Sequence, residues 1–149
     1  MIFVKVKKGN KYRFTFLFTE VNVSDMKDDL GQIFNALKKL MKKYEPPLVA
    51  TLDFDSRYEL WSNKEVEIAG RKKPKVHFAT IIIQSNYVGF YFMPIYTDSN
   101  LRSVFKPELP SLLKGKSCFH IRKLDAKLLK QIEKALEIGF GLYKKRGWI

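Results

Sequence analysis

The fold is decided by residues 76–96, which read VHFATIIIQSNYVGFYFMPIY. Apolar and aromatic side chains fill most positions on either side of Ser85 and Asn86, two residues that favour a tight turn. Runs of β-branched and aromatic residues around such a turn are typical of a hairpin. The stretch therefore predicts two antiparallel strands, at 76–84 and 87–96.

Both faces of this hairpin are expected to be apolar. On the first strand, Phe78 and Ile82 are expected to point to one face. The opposite face then receives Ala79, Ile81 and Ile83. A sheet with one face in water alternates apolar and polar residues instead. We therefore expect something to cover the second face: the N-terminal residues, a partner subunit in a homodimer, or a ligand.

The segments around the hairpin predict an α+β domain. Further strands are expected near 48–54, 57–62, 65–69 and 117–121, where apolar residues alternate or cluster. A helix is expected over 100–113, bent or split because prolines interrupt an otherwise helical pattern. The sheet is expected to be antiparallel.

Two longer amphipathic helices flank these strands. The first is predicted to begin after Ser24 as N-cap and to end before Pro46, since its apolar residues recur at helical spacing. The last begins after Asp125 as N-cap, and its Gly139 and Gly141 are expected to permit close backbone packing. The predicted architecture is an antiparallel sheet with these N- and C-terminal helices packed on one face.

Length and charge restrict the class of protein. The chain has 149 residues, with 28 Lys or Arg against 15 Asp or Glu, a formal charge of +13. This length suits one domain, which we place at residues 24–149, with residues 1–23 as an N-terminal β-hairpin or extension. No apolar run reaches the ~20 residues that cross a bilayer, and the first residues lack the pattern of a secretory leader. A single cysteine excludes an internal disulfide framework and favours a cytoplasmic location.

Three segments resemble a known family. They are Tyr87-Val-Gly-Phe-Tyr-Phe-Met-Pro94, Leu113-Lys-Gly-Lys-Ser-Cys-Phe-His-Ile-Arg-Lys-Leu-Asp125 and Tyr143-Lys-Lys-Arg-Gly-Trp148. In this order they resemble the YdhG-like family of small domains of unknown function, over about Met26 to Trp148. The resemblance implies a leading helix, paired strands, a Gly-Lys-rich turn into a strand, and a closing helix. It implies little about activity.

Some relatives of that family are described as frataxin-like iron chaperones, so the resemblance implies iron delivery as one function. The residues do not favour it, because iron binding in hard-ligand sites needs clustered carboxylates. Asp25, Asp28 and Asp29 are accounted for by the capping and dipole of the first helix. A chain of charge +13 also repels cations at a distance. We expect no metal and no cofactor.

Five aromatic residues are candidates for a ligand-binding surface, because aromatic rings with a polar edge are common in pockets and interfaces. They are Tyr58, Trp61, Tyr87, Tyr91 and Tyr96. The alternative is ordinary core packing with the hydroxyl groups in solvent.

Cys118 and His120 are a candidate reactive pair. They lie two apart on a predicted strand and so share one face. Basic neighbours such as Lys116 and Arg122 would lower the pKa of the thiol. His77 on a neighbouring strand could add a metal ligand, but no recognised metal-ligand spacing is present. A buried structural role is the alternative, and no residue is assigned a catalytic role.

Two basic segments are candidates for anion binding, because long cationic side chains contact phosphate groups readily. One is a predicted turn, and the other lies at the entry to the last helix and along it. Their residues are Arg71, Lys72, Lys73, Lys75, Lys123, Lys127, Lys130 and Lys134. No recognised nucleic-acid-binding motif accompanies them, and a solvated surface is the alternative.

The sequence thus predicts a non-enzymatic binding module that engages a small ligand or a protein partner through an aromatic sheet face. The first alternative is binding of nucleic acid or another polyanion through the basic segments. The second, implied by the family resemblance alone, is an intracellular iron chaperone. No membrane partner is expected.

Overall fold

The computed structural model describes the backbone of residues 4–8, 11–16, 19–22, 29–105 and 107–149, and side chains from residue 29 onward except at 106. The boundary predicted between residues 23 and 24 lies outside the described residues, and so do Ser24, Asp25 and Asp28.

Eleven strands are described, in three antiparallel sheets. The first three, β1 (Val4–Lys8), β2 (Lys11–Phe16) and β3 (Thr19–Asn22), form one sheet in that order. The others are β4 (Val49–Asp53), β5 (Arg57–Ser62), β6 (Val66–Ile68), β7 (Arg71–Lys73), β8 (Val76–Ile83), β9 (Val88–Phe92), β10 (Leu113–Lys114) and β11 (Cys118–Ile121). Six of these form the central sheet, in the order β10-β11-β9-β8-β5-β4, while β6 and β7 pair separately.

Five helices accompany the strands in the described residues. They are α1 (Leu30–Lys42), α2 (Met93–Thr97), α3 (Leu101–Val104), α4 (Glu108–Ser111) and α5 (Ala126–Lys145). None of them is long and apolar enough to cross a membrane. The fold class is α+β, as predicted, with α1 and α5 as the N- and C-terminal helices of the central sheet.

The predicted hairpin is present, but its second strand is shorter than expected. The amide of Gln84 donates to the carbonyl of Tyr87 at 2.9 Å, which closes the turn at Ser85 and Asn86. Strand β9 ends at Phe92 rather than at residue 96, because Pro94 lies in the first turn of α2, where its fixed φ suits a helix.

The helix predicted over 100–113, bent or split by its prolines, is split and ends earlier than expected. The segment forms α3 and α4 with a break between them, and Leu113 already belongs to β10. Phe105 has extended backbone angles, which end α3, and Pro107 serves as the N-cap of α4. Proline has no amide to continue a helix through this point.

Aspartates cap both long helices. The carboxylate of Asp29 accepts hydrogen bonds from the amides of Gly31 and Gln32 at the start of α1. Asp125 accepts from the amide of Leu128 at 2.7 Å, which confirms it as the predicted N-cap of α5. Each carboxylate satisfies amides that have no partner within the helix.

A β-bulge in β8 determines which side chains face the helices. Leu60 pairs with Ala79, whereas the next residue, Trp61, pairs with His77, so Phe78 is an extra residue. A bulge of this kind places two consecutive side chains on the same side of the strand. Phe78 and Ala79 therefore lie on one face, and the regular alternation expected of this strand is wrong.

Helices α1 and α5 both pack on this face, here called the helix face. It comprises Phe78, Ala79, Ile81, Val88, Phe90 and Phe92, all buried. Helix α1 contacts β8, β9 and α5. The ring of Phe78 lies 5.3 Å from that of Tyr143 on α5 and 6.1 Å from that of Tyr44, which follows α1. The two helices thus cover the same side of the sheet, as predicted.

Tyr58 belongs to this core and not to a ligand-binding surface. Tyr58 is 0% exposed, and it pairs across the sheet with Ile81 of the helix face. The hydroxyl group donates to the carboxylate of Glu45, and the ammonium groups of Lys38 and Lys42 each lie 5.4 Å from the centre of the ring. Its assignment as a ligand-binding residue is therefore wrong.

The two glycines of α5 differ in their surroundings. A Cβ atom at Gly139 would lie 2.5 Å from Cζ of Phe92 and 2.7 Å from Cγ of Pro94, so this glycine permits the close packing that was expected. Nothing lies within 4 Å of a Cβ atom at Gly141. The expected packing role of Gly141 is wrong.

Replacing Gly139 with alanine is expected to destabilise the protein, because the buried ring of Phe92 has little space to retreat. Gly141→Ala is the matched control, since both variants gain the same helix propensity. We expect the free energy of unfolding of Gly139→Ala to be about 1–3 kcal/mol below that of Gly141→Ala in urea denaturation. Equal values for the two variants would contradict the close approach of α5 to the sheet.

Candidate functional site

The face of the central sheet opposite the helix face carries polar and aromatic side chains. Thr80 pairs with Tyr91, Tyr91 pairs with Cys118, and each set of partners shares one side of the sheet. We call this side the polar face. Its members are Arg57, Glu59, Trp61, His77, Thr80, Ile82, Gly89, Tyr91, Cys118 and His120.

The expectation of two apolar faces is therefore wrong. The bulge moves Phe78 onto the helix face, so that the second face begins with His77 and continues with Thr80. A cavity of about 310 Å³ opens on the polar face, lined by residues of β5 and β8 and by Tyr91. This side of the sheet thus offers a shallow site with aromatic and charged walls.

Glu59 holds the β5 side of this cavity in place. The residue is 8% exposed, and its Oε1 atom accepts a hydrogen bond from Nε of Arg57 at 2.7 Å, with a second Arg57 nitrogen alongside. Its Oε2 atom accepts from Nε1 of Trp61 at 3.1 Å and from Oγ1 of Thr51 at 3.4 Å. Burial would raise the pKa of Glu59, but the hydrogen bonds from Trp61 and Arg57 outweigh it and lower that pKa. The carboxylate is ionised at neutral pH, and both of its oxygens are occupied.

His77 forms the floor of the cavity together with Trp61. The two rings lie 4.6 Å apart with an angle of 32° between their planes. Nε2 of His77 lies 2.6 Å from Oγ1 of Thr80, a buried residue three positions along the strand. This contact requires the bulge, since three residues of a regular strand would place the two side chains on opposite faces. Burial lowers the pKa of His77, and the charge of Glu59 offsets only part of that effect.

Gly89 makes room for two tyrosine rings at the middle of the polar face. A Cβ atom there would lie 3.2 Å from Cε2 of Tyr91, 3.6 Å from Cε2 of Tyr87 and 3.8 Å from Sγ of Cys118. The rings thus lie over the glycine backbone, where a larger side chain would displace them. Burial raises the pKa of Tyr91, so its hydroxyl group stays protonated at neutral pH and can donate a hydrogen bond.

A second ring pair lies at the β11 side. Tyr87 and His120 stack with centroids 3.9 Å apart and an angle of 12° between their planes. The guanidinium carbon of Arg122 lies 5.6 Å from the centre of the Tyr87 ring. Partial burial and the charges of Arg122 and Lys114 lower the pKa of His120, so its imidazole is neutral at neutral pH.

His120 also lines a second cavity, of about 400 Å³, between β11, α4 and the start of α5. Arg122 and Lys123 line the same cavity. Its acidic members are engaged within the protein: Asp125 caps α5, and Glu108 pairs with Lys127. Hydrogen bonds from Lys127 and Gln131 lower the pKa of Glu108 to about 2.

The structure brings together three of the five predicted aromatic residues. Trp61 and Tyr91 line the polar-face cavity, and Tyr87 lies in the adjacent ring pair. Tyr58 lies in the core, as described above. Tyr96 lies on α2, 53% exposed, with Lys116 at 5.8 Å from its ring, and it does not belong to the polar face. The helix that begins at Met93 carries Tyr96 away from the sheet.

Cys118 and His120 share the polar face, as their spacing predicted. The expected lowering of the thiol pKa is wrong: Cys118 is 9% exposed, and burial raises its pKa more than the nearby Tyr91 lowers it. His77 is not on a neighbouring strand, because β9 separates β8 from β11. In the described part of the chain, no three His, Cys, Asp or Glu side chains are grouped so that they could hold a metal ion.

The basic segments differ from their predicted form. Residues 71–73 are strand β7, and the turn before them lies at Ala69 and Gly70, whose φ angles are 51° and 75°. On α5, Lys127 pairs with Glu108 and Lys134 with Glu137, which reduces the free charge of the predicted stripe. The ammonium group of Lys75 lies 4.6 Å from the centre of the Trp61 ring. Lys75 and Lys123 therefore adjoin the polar face and its neighbouring cavity.

Three residues that line the cavity, Arg57, Glu59 and Thr80, were not among the predicted candidates. His77 was a candidate only as a metal ligand and not as the ring partner of Trp61. Arg57, Glu59 and Trp61 occupy alternate positions of one predicted strand, a pattern that places them on one face. That signal was sufficient to group them. The pairing of His77 with Thr80 depends on the bulge, which alternation does not reveal.

No family model, no curated protein and no solved structure matches this chain. Membership of the YdhG-like family therefore stays a prediction, and so does a cytoplasmic location.

Replacing Glu59 with glutamine is expected to lower the free energy of unfolding by about 1.5–3 kcal/mol at neutral pH, because charged hydrogen bonds to Arg57 and Trp61 are lost. The pKa of Glu59 is lower in the folded protein than its ordinary value of 4.5, so the carboxylate stabilises the fold above that pH. This contribution is lost as the pH falls through the folded pKa. The difference between wild type and variant should therefore shrink below about pH 4.5 in urea titrations.

The matched control for that experiment is Glu65→Gln, at an exposed position. It should leave stability within about 0.5 kcal/mol of the wild-type value. The free energies of unfolding of wild type and Glu59→Gln should converge in acid. If their difference stays unchanged below about pH 4, the ionised carboxylate does not stabilise the fold as described.

Cys118 is expected to react slowly with iodoacetamide at neutral pH, because its thiol is buried and its pKa is raised. As the only cysteine of the chain, it can be followed by mass spectrometry without further substitutions. We expect the native protein to react about tenfold or more slowly than N-acetylcysteine, and the urea-unfolded chain to react at the rate of that small thiol. If the native protein reacts as fast as N-acetylcysteine or faster, Cys118 is a reactive group after all.

Proposed function

We propose that this protein is a non-enzymatic binding module whose polar face binds a planar compound that carries an anionic group. The observation that carries the proposal is the cavity beside Trp61, His77 and Tyr91, with cationic side chains next to the rings. A planar ligand can contact the rings through its face, and its charged group can reach Lys75 or Arg57.

The positions of the cations support an anion as part of the ligand. Lys75 lies over the ring of Trp61 and is exposed, so it can turn from the ring toward an incoming negative group. Arg57 remains about half-exposed while one edge of its guanidinium contacts Glu59. Because Glu59 is neutralised by Arg57, the cavity does not present a free negative charge.

The chemistry of the remaining polar groups supports binding rather than catalysis. The thiol of Cys118 is protonated at neutral pH, and the imidazole of His77 is engaged with Thr80 and stacked against Trp61. A nucleophile is activated by a base within hydrogen-bond reach or by a lowered pKa. Burial raises the pKa of the thiol, and the hydrogen bond described for its sulfur goes to the backbone carbonyl of Phe119 and not to His120.

Tryptophan fluorescence provides a direct test. Trp148 packs against Tyr143 at the end of α5, so Trp148→Phe leaves Trp61 as the only tryptophan without altering the polar face. We expect the four nucleoside monophosphates, which join a planar ring to a phosphate, to quench this emission to saturation. Adenosine should bind about tenfold more weakly than its monophosphate, since it lacks the charged group. Ribose 5-phosphate, which lacks the ring, should not quench.

Two results would contradict the proposal. One is an emission spectrum of Trp61 that no monophosphate changes, although the protein is folded. The other is a stable dimer in sedimentation equilibrium that shields Trp61 from acrylamide, because a second copy would then cover the polar face. Tyr96→Ala is the control variant, since Tyr96 is exposed and lies off the polar face, and it should bind as the wild type does.

A further inference from the structure

We infer that the ligand of the polar face is a single-stranded nucleic acid, which crosses the strands of the central sheet and stacks bases on two separate ring pairs. This inference rests on the proposed function, because one of the ring pairs is the site beside Trp61. It adds the second ring pair, Tyr87 and His120, and the cavity beyond it.

The spacing of the ring pairs fits a polymer better than a single small molecule. Trp61 lies on β5 and His120 on β11, with β8 and β9 between them. Neighbouring strands are about 4.8 Å apart, so the three steps from β5 to β11 span ~14 Å across the sheet. His120 is in register with Arg57, through Gly89 and Ile82, and Arg57 lies four residues from Trp61, which adds ~13 Å along the strands. The two ring pairs are therefore ~20 Å apart on a diagonal, which corresponds to about six nucleotides of a stacked strand at 3.4 Å each. Tyr91 lies between the two pairs on β9 and continues the aromatic path.

Cations accompany the rings along the whole path. Lys75 lies over Trp61 at one end, and Arg122 lies over Tyr87 at the other. Lys123 lines the cavity that adjoins His120, and Lys114 is close enough to His120 to lower its pKa by its charge. Single-strand binders combine stacking platforms with such a basic path, because every base has a π-face and every nucleotide a phosphate.

The acidic groups along the path do not oppose a polyanion. Glu59 is paired with Arg57, and Glu108 is paired with Lys127. Asp125 is occupied as the N-cap of α5. With a formal charge of +13 for the whole chain, the long-range field also attracts an anionic polymer.

A duplex fits this face poorly, because its bases are stacked on each other and expose only their edges. The rings of the polar face can stack only on bases that are unpaired. The ring pairs therefore distinguish single strands from duplexes, which a surface of lysines alone would not do.

The test uses the intact protein and 5′-labelled oligodeoxythymidines of about two, six and ten nucleotides, with fluorescence anisotropy as the readout. We expect the affinity to rise up to about six nucleotides, the length that spans both ring pairs. A duplex of the same length should bind more weakly. Oligouridine in place of oligodeoxythymidine shows whether the sugar contributes. Between about 50 and 200 mM salt the affinity should fall by about 20-fold, as expected for three phosphate contacts.

Substitutions separate stacking from charge. Trp61→Ala and Tyr87→Ala should each weaken binding of the longest oligomer by about 5- to 140-fold, the range for loss of one stacked base. Arg122 is exposed and lies over the second ring pair, so Arg122→Gln should weaken binding. It should also reduce the dependence of the affinity on salt concentration by the amount expected for about one lost phosphate contact. Lys130→Gln, at an exposed position of α5 away from the polar face, is its matched control and should change neither. Because Arg122 is exposed, that pair of variants remains informative if an aromatic variant fails to fold.

Three results would overturn the inference. The first result is that a monophosphate quenches Trp61 and the oligomers bind no more tightly than it does. The proposed function would then stand, but the ligand would not be a nucleic-acid strand. A second result is that Lys130→Gln weakens oligomer binding as much as Arg122→Gln does, while Trp61→Ala and Tyr87→Ala have no effect. It would show that the oligomers are attracted by charge alone. Failure of both monophosphates and oligomers to bind would remove the inference together with the proposed function.

Discussion

The β-bulge at Phe78 is the constraint on which both faces of the sheet depend. Without the extra residue, Phe78 would point away from the helices, and His77 would point toward them with Ala79 and Ile81. A large aromatic ring would then lose its buried contacts, and an imidazole would enter an apolar core away from the hydroxyl group it now contacts. Both effects oppose that arrangement, so the bulge and the two faces stabilise one another.

The elements of the fold could be predicted from sequence because each has a local cause. The turn at Ser85 and Asn86, the cap at Asp125 and the two amphipathic helices follow from residue types and spacing. The assignment of side chains to faces in β8 could not, because a bulge carries no characteristic residue here. The same limitation affected α3 and α4, where proline indicated an interruption but not its form.

The candidate site was predictable in part, for a related reason. Trp61, Tyr87 and Tyr91 were recognisable as aromatic residues of the sheet. Trp61 lies three residues from Tyr58 on β5, and this odd spacing places the two side chains on opposite faces. Residues brought together from different strands depend on register and strand order, which no local pattern specifies. The neighbourhood of Cys118 shows the same limit, since its basic sequence neighbours proved less important than its burial.

Glu59 has a consequence for how the polar face meets a ligand. Its two oxygens fix the side chains of Arg57 and Trp61 in the folded protein, before any ligand arrives. Ordering a flexible side chain during binding costs about 0.5–1.5 kcal/mol, and here folding has already removed that freedom. For the proposed ligand, the fixed positions of Arg57 and Trp61 predict association that is limited by diffusion and orientation and not by a change in the backbone of the sheet.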